Sequence, residues 1–200
     1  MGRGLAPTYL ETLQASSRLG QFPKPFVSGG SAVAGVELGV SNNDRYEPPM
    51  LHHLHFESTL RGSRQDIFRA ITSADGIAEE MRPYFRFSMP EGIRSLDDVD
   101  FRPGEVAYST TVWLFGLVPI GRFHVTLIEL VPNEGFVEES PLAGMKYWRH
   151  ERRLVDGAGE GEVVLRDDVR FEPLFASGMT KRFIEAFFRN RHAVLRMRFG

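Results

Sequence analysis

The alternation of apolar and polar positions is plainest over residues 146–172. In K-Y-W-R-H-E-R-R-L, residues Trp148, His150, Arg152 and Leu154 share one parity. Successive side chains of a strand point to opposite faces, so the face carrying Trp148 and Leu154 is expected to look inward. In V-V-L-R-D-D-V-R-F, residues Val163, Leu165, Asp167, Val169 and Phe171 alternate with Val164, Arg166, Asp168, Arg170 and Glu172, the pattern of a half-buried strand. Between the two runs, Asp156-Gly157-Ala158-Gly159-Glu160-Gly161 tolerates positive φ and predicts an antiparallel hairpin. From Met179 the period changes to about 3.6. Met179, Phe183, Ala186, Phe187, Asn190, Val194 and Met197 fall on one stripe, and Ile184, Phe188, Leu195 and Phe199 on its neighbour. Lys181, Arg182, Glu185, Arg189 and Arg196 take the other side, which predicts a long helix packed on the sheet and partly covered elsewhere.

A hairpin symmetric about Ala158 and Gly159 pairs Leu154 with Val163, Arg152 with Leu165, His150 with Asp167 and Trp148 with Val169. It sets an imidazole against a carboxylate on the inward face, where neither is tolerated without a hydrogen-bond partner. Two roles fit: a cross-strand pair that fixes the register, or a general acid-base pair. Arg191 lies within the apolar arc of the helix, so its guanidinium needs a carboxylate, Asp167 first, or a ligand anion, unless it reaches water beyond a packed stem. His192 reads as a boundary histidine.

Upstream, residues 1–50 read as an extension interrupted by Pro23, Pro25, Gly29, Gly30, Gly35, Gly39, Pro48 and Pro49, an arm that packs on the domain or forms a homodimer. Leu51 to Leu60 predicts a first strand, with Leu54, Phe56 and Ser58 opposite His53, His55 and Glu57. The two histidines have a spacing that metal sites use, but no third ligand accompanies them. Ser63 and Asp66 match a helix-opening cap, with Ile67, Phe68 and Ile71 as the buried side. Ala74 to Met81 gives a second short helix stopped by Pro83. Further strands are expected over Tyr84 to Met89, Glu105 to Phe115, Arg122 to Val131 and Gly135 to Ser140, with G-L-V-P-I-G as a turn and His124 an ordinary strand histidine.

Composition adds exclusions. In 200 residues there is no cysteine, which removes disulfides, thiol catalysis and cysteine-held metals. A net charge of −2 gives no reason to expect nucleic-acid binding. No apolar run approaches about 18 residues and the start lacks a signal-peptide core, so a cytoplasmic protein without stable membrane insertion is expected. Nucleotide-binding loops, nucleophile elbows and zinc-protease motifs are missing from the sequence.

The order of elements, with I-F-R-A, M-R-P, F-G-L-V-P-I-G-R-F, W-R-H, L-R-D-D-V-R-F and F-R-N-R-H-A-V-L at their places, resembles the START-like (SRPBCC) superfamily of polyketide cyclase-like and lipid-carrier proteins, in a bacterial branch. The resemblance covers residues 52–199. It implies an α+β helix-grip fold: a curved antiparallel sheet of about seven strands around a long C-terminal helix, with two short helices after the first strand. It also implies an apolar cavity faced by Trp148, His150, Asp167 and Phe171, with Phe183, Phe187 and Arg191 opposite. Trp113 and Phe115 complete the expected ligand-binding set. The expected function is binding of a hydrophobic or aromatic small molecule, lipid included, with no cofactor and no metal. The alternatives are a metal-free cyclase or dehydratase-type lyase using His150 and Asp167, and an interaction domain whose cavity is filled by side chains.

Overall fold

The computed structural model describes residues 51–200, and the expectations for residues 1–50 lie outside the described residues. Strand β1 (His52–Arg61) leads into helices α1 (Arg64–Thr72) and α2 (Ala74–Met81). Strands β2 (Phe85–Ser88), β3 (Val106–Leu114), β4 (Val118–Val131), β5 (Gly135–Glu138), β6 (Met145–Asp156) and β7 (Glu162–Pro173) follow, and helix α3 (Ser177–Phe199) ends the chain. The strands form one antiparallel sheet in the order β1-β7-β6-β5-β4-β3-β2, so α1 and α2 connect its two edges. This is an α+β helix-grip architecture.

Local chemistry sets the two-helix corner. The Ser63 hydroxyl accepts from the Asp66 amide at 3.0 Å and caps α1. Ser73 caps α2 in the same way, accepting from the Gly76 amide at 3.1 Å. A Cβ on Gly76 would lie 1.8 Å from the Ala70 carbonyl oxygen, so only glycine fits where the chain turns back. Ile67, Phe68 and Ile71 are buried, as their spacing predicts.

Three of the elements carry the same layered pattern. An apolar cluster joins Leu154 of β6, Val163 and Leu165 of β7 and Leu195 of α3 to the α1 side chains. A second joins Trp148, Val169 and Phe171 to Ile184, Phe187 and Phe188. Between them in sequence, on each element, stand buried polar residues: His150 and Arg152, Asp167, and Arg191 and His192. The core is thus two apolar layers with a charged layer inserted.

Four expectations need correction. The β6–β7 turn is centred one residue later than symmetry about Ala158 and Gly159 would have it. Arg152 therefore opposes Asp167, Leu154 opposes Leu165, Trp148 opposes Phe171, and His150 opposes Val169. Because every partner moves by two, side-chain parity is preserved and the same residues face inward. Strand β4 begins at Val118, so most of G-L-V-P-I-G belongs to the strand and the reversal is confined to Phe115–Leu117. The helix is rotated towards its second stripe: Ile184, Phe188 and Leu195 are buried, whereas Met179 and Met197 are exposed. His192 belongs to the buried layer rather than the boundary, because that rotation turns it towards β1 and β7.

Candidate functional site

A cavity of about 560 Å³ lies between the inner face of the sheet and the N-terminal part of α3. Strand β3 lines it with Tyr108, Thr110, Val112 and Leu114, β4 with Phe123, Val125 and Leu127, and β6 with Trp148 and His150. Phe183, Ile184, Phe187 and Arg191 line it from α3, and Ile77 and Met81 from α2. The wall is mostly apolar, and its polar side chains are few, among them Tyr108, Thr110, Glu138, His150 and Arg191.

Two members of the charged layer, His150 and Arg191, belong to this wall, and the others lie behind it. Arg152 donates to both Asp167 oxygens, from Nε and Nη2 at 2.7 Å each, and from Nη1 to Glu80 Oε2 at 2.7 Å. Asp167 also accepts from His150 Nε2 at 3.0 Å and from His192 Nε2 at 3.1 Å. An ionised carboxylate only accepts, so both imidazoles carry their proton on Nε2. The Ser58 hydroxyl then donates to His192 Nδ1 at 2.8 Å and accepts from Arg196 Nη1 at 2.7 Å. His150 is left with Nδ1 as an acceptor on a residue of the cavity wall.

Arg191 donates from Nε to Glu80 Oε2 at 3.0 Å, and its guanidinium carbon lies 5.6 Å and 5.2 Å from the ring centroids of Phe187 and Phe188. Glu80 Oε1 is buried without a partner among the described residues. Burial alone would raise the Asp167 carboxyl, but Arg152 and His150 hold it well below the ordinary range. Burial pushes the His150 imidazole down, outweighing the pull of Asp167. Burial, then repulsion by Arg152, pushes Arg191 down despite Glu80 and Asp167. The Tyr108 phenol is pushed up by burial and by the nearby Glu138 carboxylate.

Of the residues expected to bind ligand, Trp148, His150, Phe183, Phe187 and Arg191 line the cavity. Asp167 is fully buried behind the wall, beneath His150 and Arg152. Phe171 packs into the core, 6.1 Å from Trp148 and 5.1 Å from His52 between ring centroids. Trp113 has the opposite parity to Val112 and Leu114, and Phe115 lies past the strand end, exposed, with φ of 51°. Both faces of β3 are apolar in sequence, so alternation there could not say which looked inward. The first partner expected for Arg191 was Asp167; Glu80 takes that place because Arg152 and the two histidines already occupy the Asp167 oxygens.

Sequence reasoning missed Glu80, Tyr108 and Glu138, and gave Arg152 no role. Signals existed for two of them. Arg152 shares inward parity with Trp148 and Leu154, and Glu80 stands three residues after Ile77 on the helix face that also carries Met81. His53 and His55 both bond Asp168 Oδ1, at 2.8 and 3.1 Å, on the outer face of the sheet. Among the described residues no group of three or more His, Asp or Glu side chains is arranged so that it could hold a metal ion.

Fold and cavity together define a protein of helix-grip, START-like fold. The chain belongs to the family described as Domain of unknown function (DUF8410), whose pattern matches residues 58–199. No curated protein matches the chain. Among solved structures, the ZhuI aromatase/cyclase from a Streptomyces species is similar with a TM-score of 0.55 at 10% identity, over 73% of this chain and 92% of that one. XoxI from Bacillus cereus gives 0.54 at 12% identity, over 74% and 94%. The di-domain aromatase/cyclase StfQ of the steffimycin pathway gives 0.53 at 11% identity, over 74% of this chain and 51% of its own. At these identities the similarity establishes the shared fold.

Proposed function

We propose that residues 51–200 bind a hydrophobic or aromatic small molecule, lipids included, between the sheet and α3. The observation that carries this reading is the cavity itself: about 560 Å³ of space walled by aliphatic and aromatic side chains, with a handful of polar groups among them. Ligand sites generally have this composition and this order of size, about 300–1,000 Å³. Open space of that size also favours the ligand reading over a domain filled by its own side chains. Native mass spectrometry of the purified protein, followed by organic extraction, tests it. A defined apolar molecule at near one-to-one ratio is expected, and a clean apo mass with no thermal shift from lipids and polycyclic aromatics would overturn the reading.

A second reading, a metal-free cyclase or dehydratase-type lyase, rests on one contact. His150 Nε2 bonds Asp167 Oδ1 at 3.0 Å while the imidazole stands on the cavity wall. Its depressed pKa keeps it in the basic form near neutral pH, as a general base requires. The aromatase/cyclases of similar fold contribute the fold and no residue roles. His150→Gln separates the readings: binding survives in both, and only a lyase loses turnover.

A further inference from the structure

We propose that the ligand carries an anionic oxygen group, a carboxylate or an ionised enol or phenol, seated on the guanidinium of Arg191; this rests on the cavity being a ligand site. Arg191 is 4% exposed and lines the cavity. Among the described residues only its Nε has a hydrogen-bond partner, so its Nη donors are left over, and unlike Glu80 Oε1 they are not shut away from accessible space. The neighbouring cation differs: Arg152 uses Nε, Nη1 and Nη2 on two carboxylates.

The hydrogen bonds to the two carboxylates are divided in the same uneven way. Both Asp167 oxygens are taken by Arg152 and two histidines, and the one Glu80 oxygen that bonds Arg191 is shared with Arg152. Arg191 therefore makes one hydrogen bond to a carboxylate it shares with Arg152, over the faces of Phe187 and Phe188. The acidic side chain on the wall, Glu138, accepts from Ser140 and makes no ion pair with Arg191. An anion entering the cavity completes the pairing of Arg191 with charge-assisted bonds, which are stronger than neutral ones. A neutral ligand leaves that pairing incomplete.

The test uses matched probes: naphthalene-2-carboxylate against naphthalene-2-carboxamide, and dodecanoate against dodecanamide. Each is titrated by calorimetry into the full chain and into Arg191→Gln and Arg191→Lys, with folding checked by circular dichroism. The carboxylates are expected to bind the wild type about tenfold or more tightly than their amides, the usual gain from a charged acceptor. Arg191→Gln should erase that preference while leaving amide affinity in place, and Arg191→Lys should retain part of it. Should either variant fail to fold, the comparison within the wild type still decides. Equal affinity of acid and amide overturns the anion inference and leaves the cavity reading standing. Failure of all four probes, together with a clean apo mass, overturns the cavity reading and this inference with it.

Discussion

Arg152 is the residue on which the buried layer depends. It is fully buried and holds Asp167 and Glu80 at once, so its removal leaves two carboxylates inside an apolar core. Arg152→Met is expected to cost about 3–5 kcal/mol, the usual penalty for breaking a buried pair from one side, read as a lowered urea midpoint with an unchanged slope. The same layer gives stability a definite pH dependence. His150 is depressed by burial, so between its folded value and the unfolded value of about 6.5 the unfolded chain binds a proton that the folded chain does not. Stability therefore falls as pH drops through about 6.5. Asp167, also depressed, contributes stability above its unfolded value of about 3.9 that is lost on further acidification. His55, raised chiefly by its bond to Asp168, works the opposite way from the surface. Melting temperatures from pH 7.5 to 5 are expected to decline in the wild type and to decline less in His150→Gln; identical slopes would mean that His150 does not set the dependence.

At the scale of elements, the β6–β7 hairpin and the short strand β5 fix where the charged layer lies. Gly135 adopts φ of 142° beside β6, and a Cβ there would stand 1.9 Å from the Arg152 carbonyl oxygen. Gly135→Ala must move either strand, displacing the backbone that carries Arg152. A loss of at least about 2 kcal/mol is expected from strain and clash together, and hydrogen exchange should show it first in β5 and β6. The hairpin shows why parity was legible and partnership was not. Inward residues were identified because an even register shift leaves every side chain on its face. The actual opposites depended on which glycines of the turn reversed the chain, and several in Gly157–Gly161 could have done so.

For the whole molecule, the cavity makes β3 a useful discriminator. Val112 faces it, whereas Trp113 has the opposite parity. Val112→Phe fills the space and should weaken binding of any cavity ligand by about tenfold, on the scale of a few buried methylenes; Trp113→Ala should leave affinity nearly unchanged. The reverse pattern, measured by calorimetry with the same probe, would place the site on the wrong face of the sheet. Bound ligand should also raise the melting temperature in a concentration-dependent manner, because it binds only the folded state.

The sequence by itself determined the element order, the inward faces of β6 and β7, the Ser63 cap of α1, and the presence of buried charge at Asp167 and Arg191; the Ser73 cap of α2 came only with the structure. These follow from period, parity and local hydrogen bonding, which involve neighbours a few residues apart. Tertiary structure alone decided that Glu80, from a helix over a hundred residues before Arg191, shares one oxygen between two arginines. It also decided that Trp113 is turned from the cavity and that His192 joins Asp167. The physical reason is the same in each case. Rotation of a helix and the choice of inward face on a doubly apolar strand are settled by packing across the sheet, where partners distant in sequence compete for the same few acceptors.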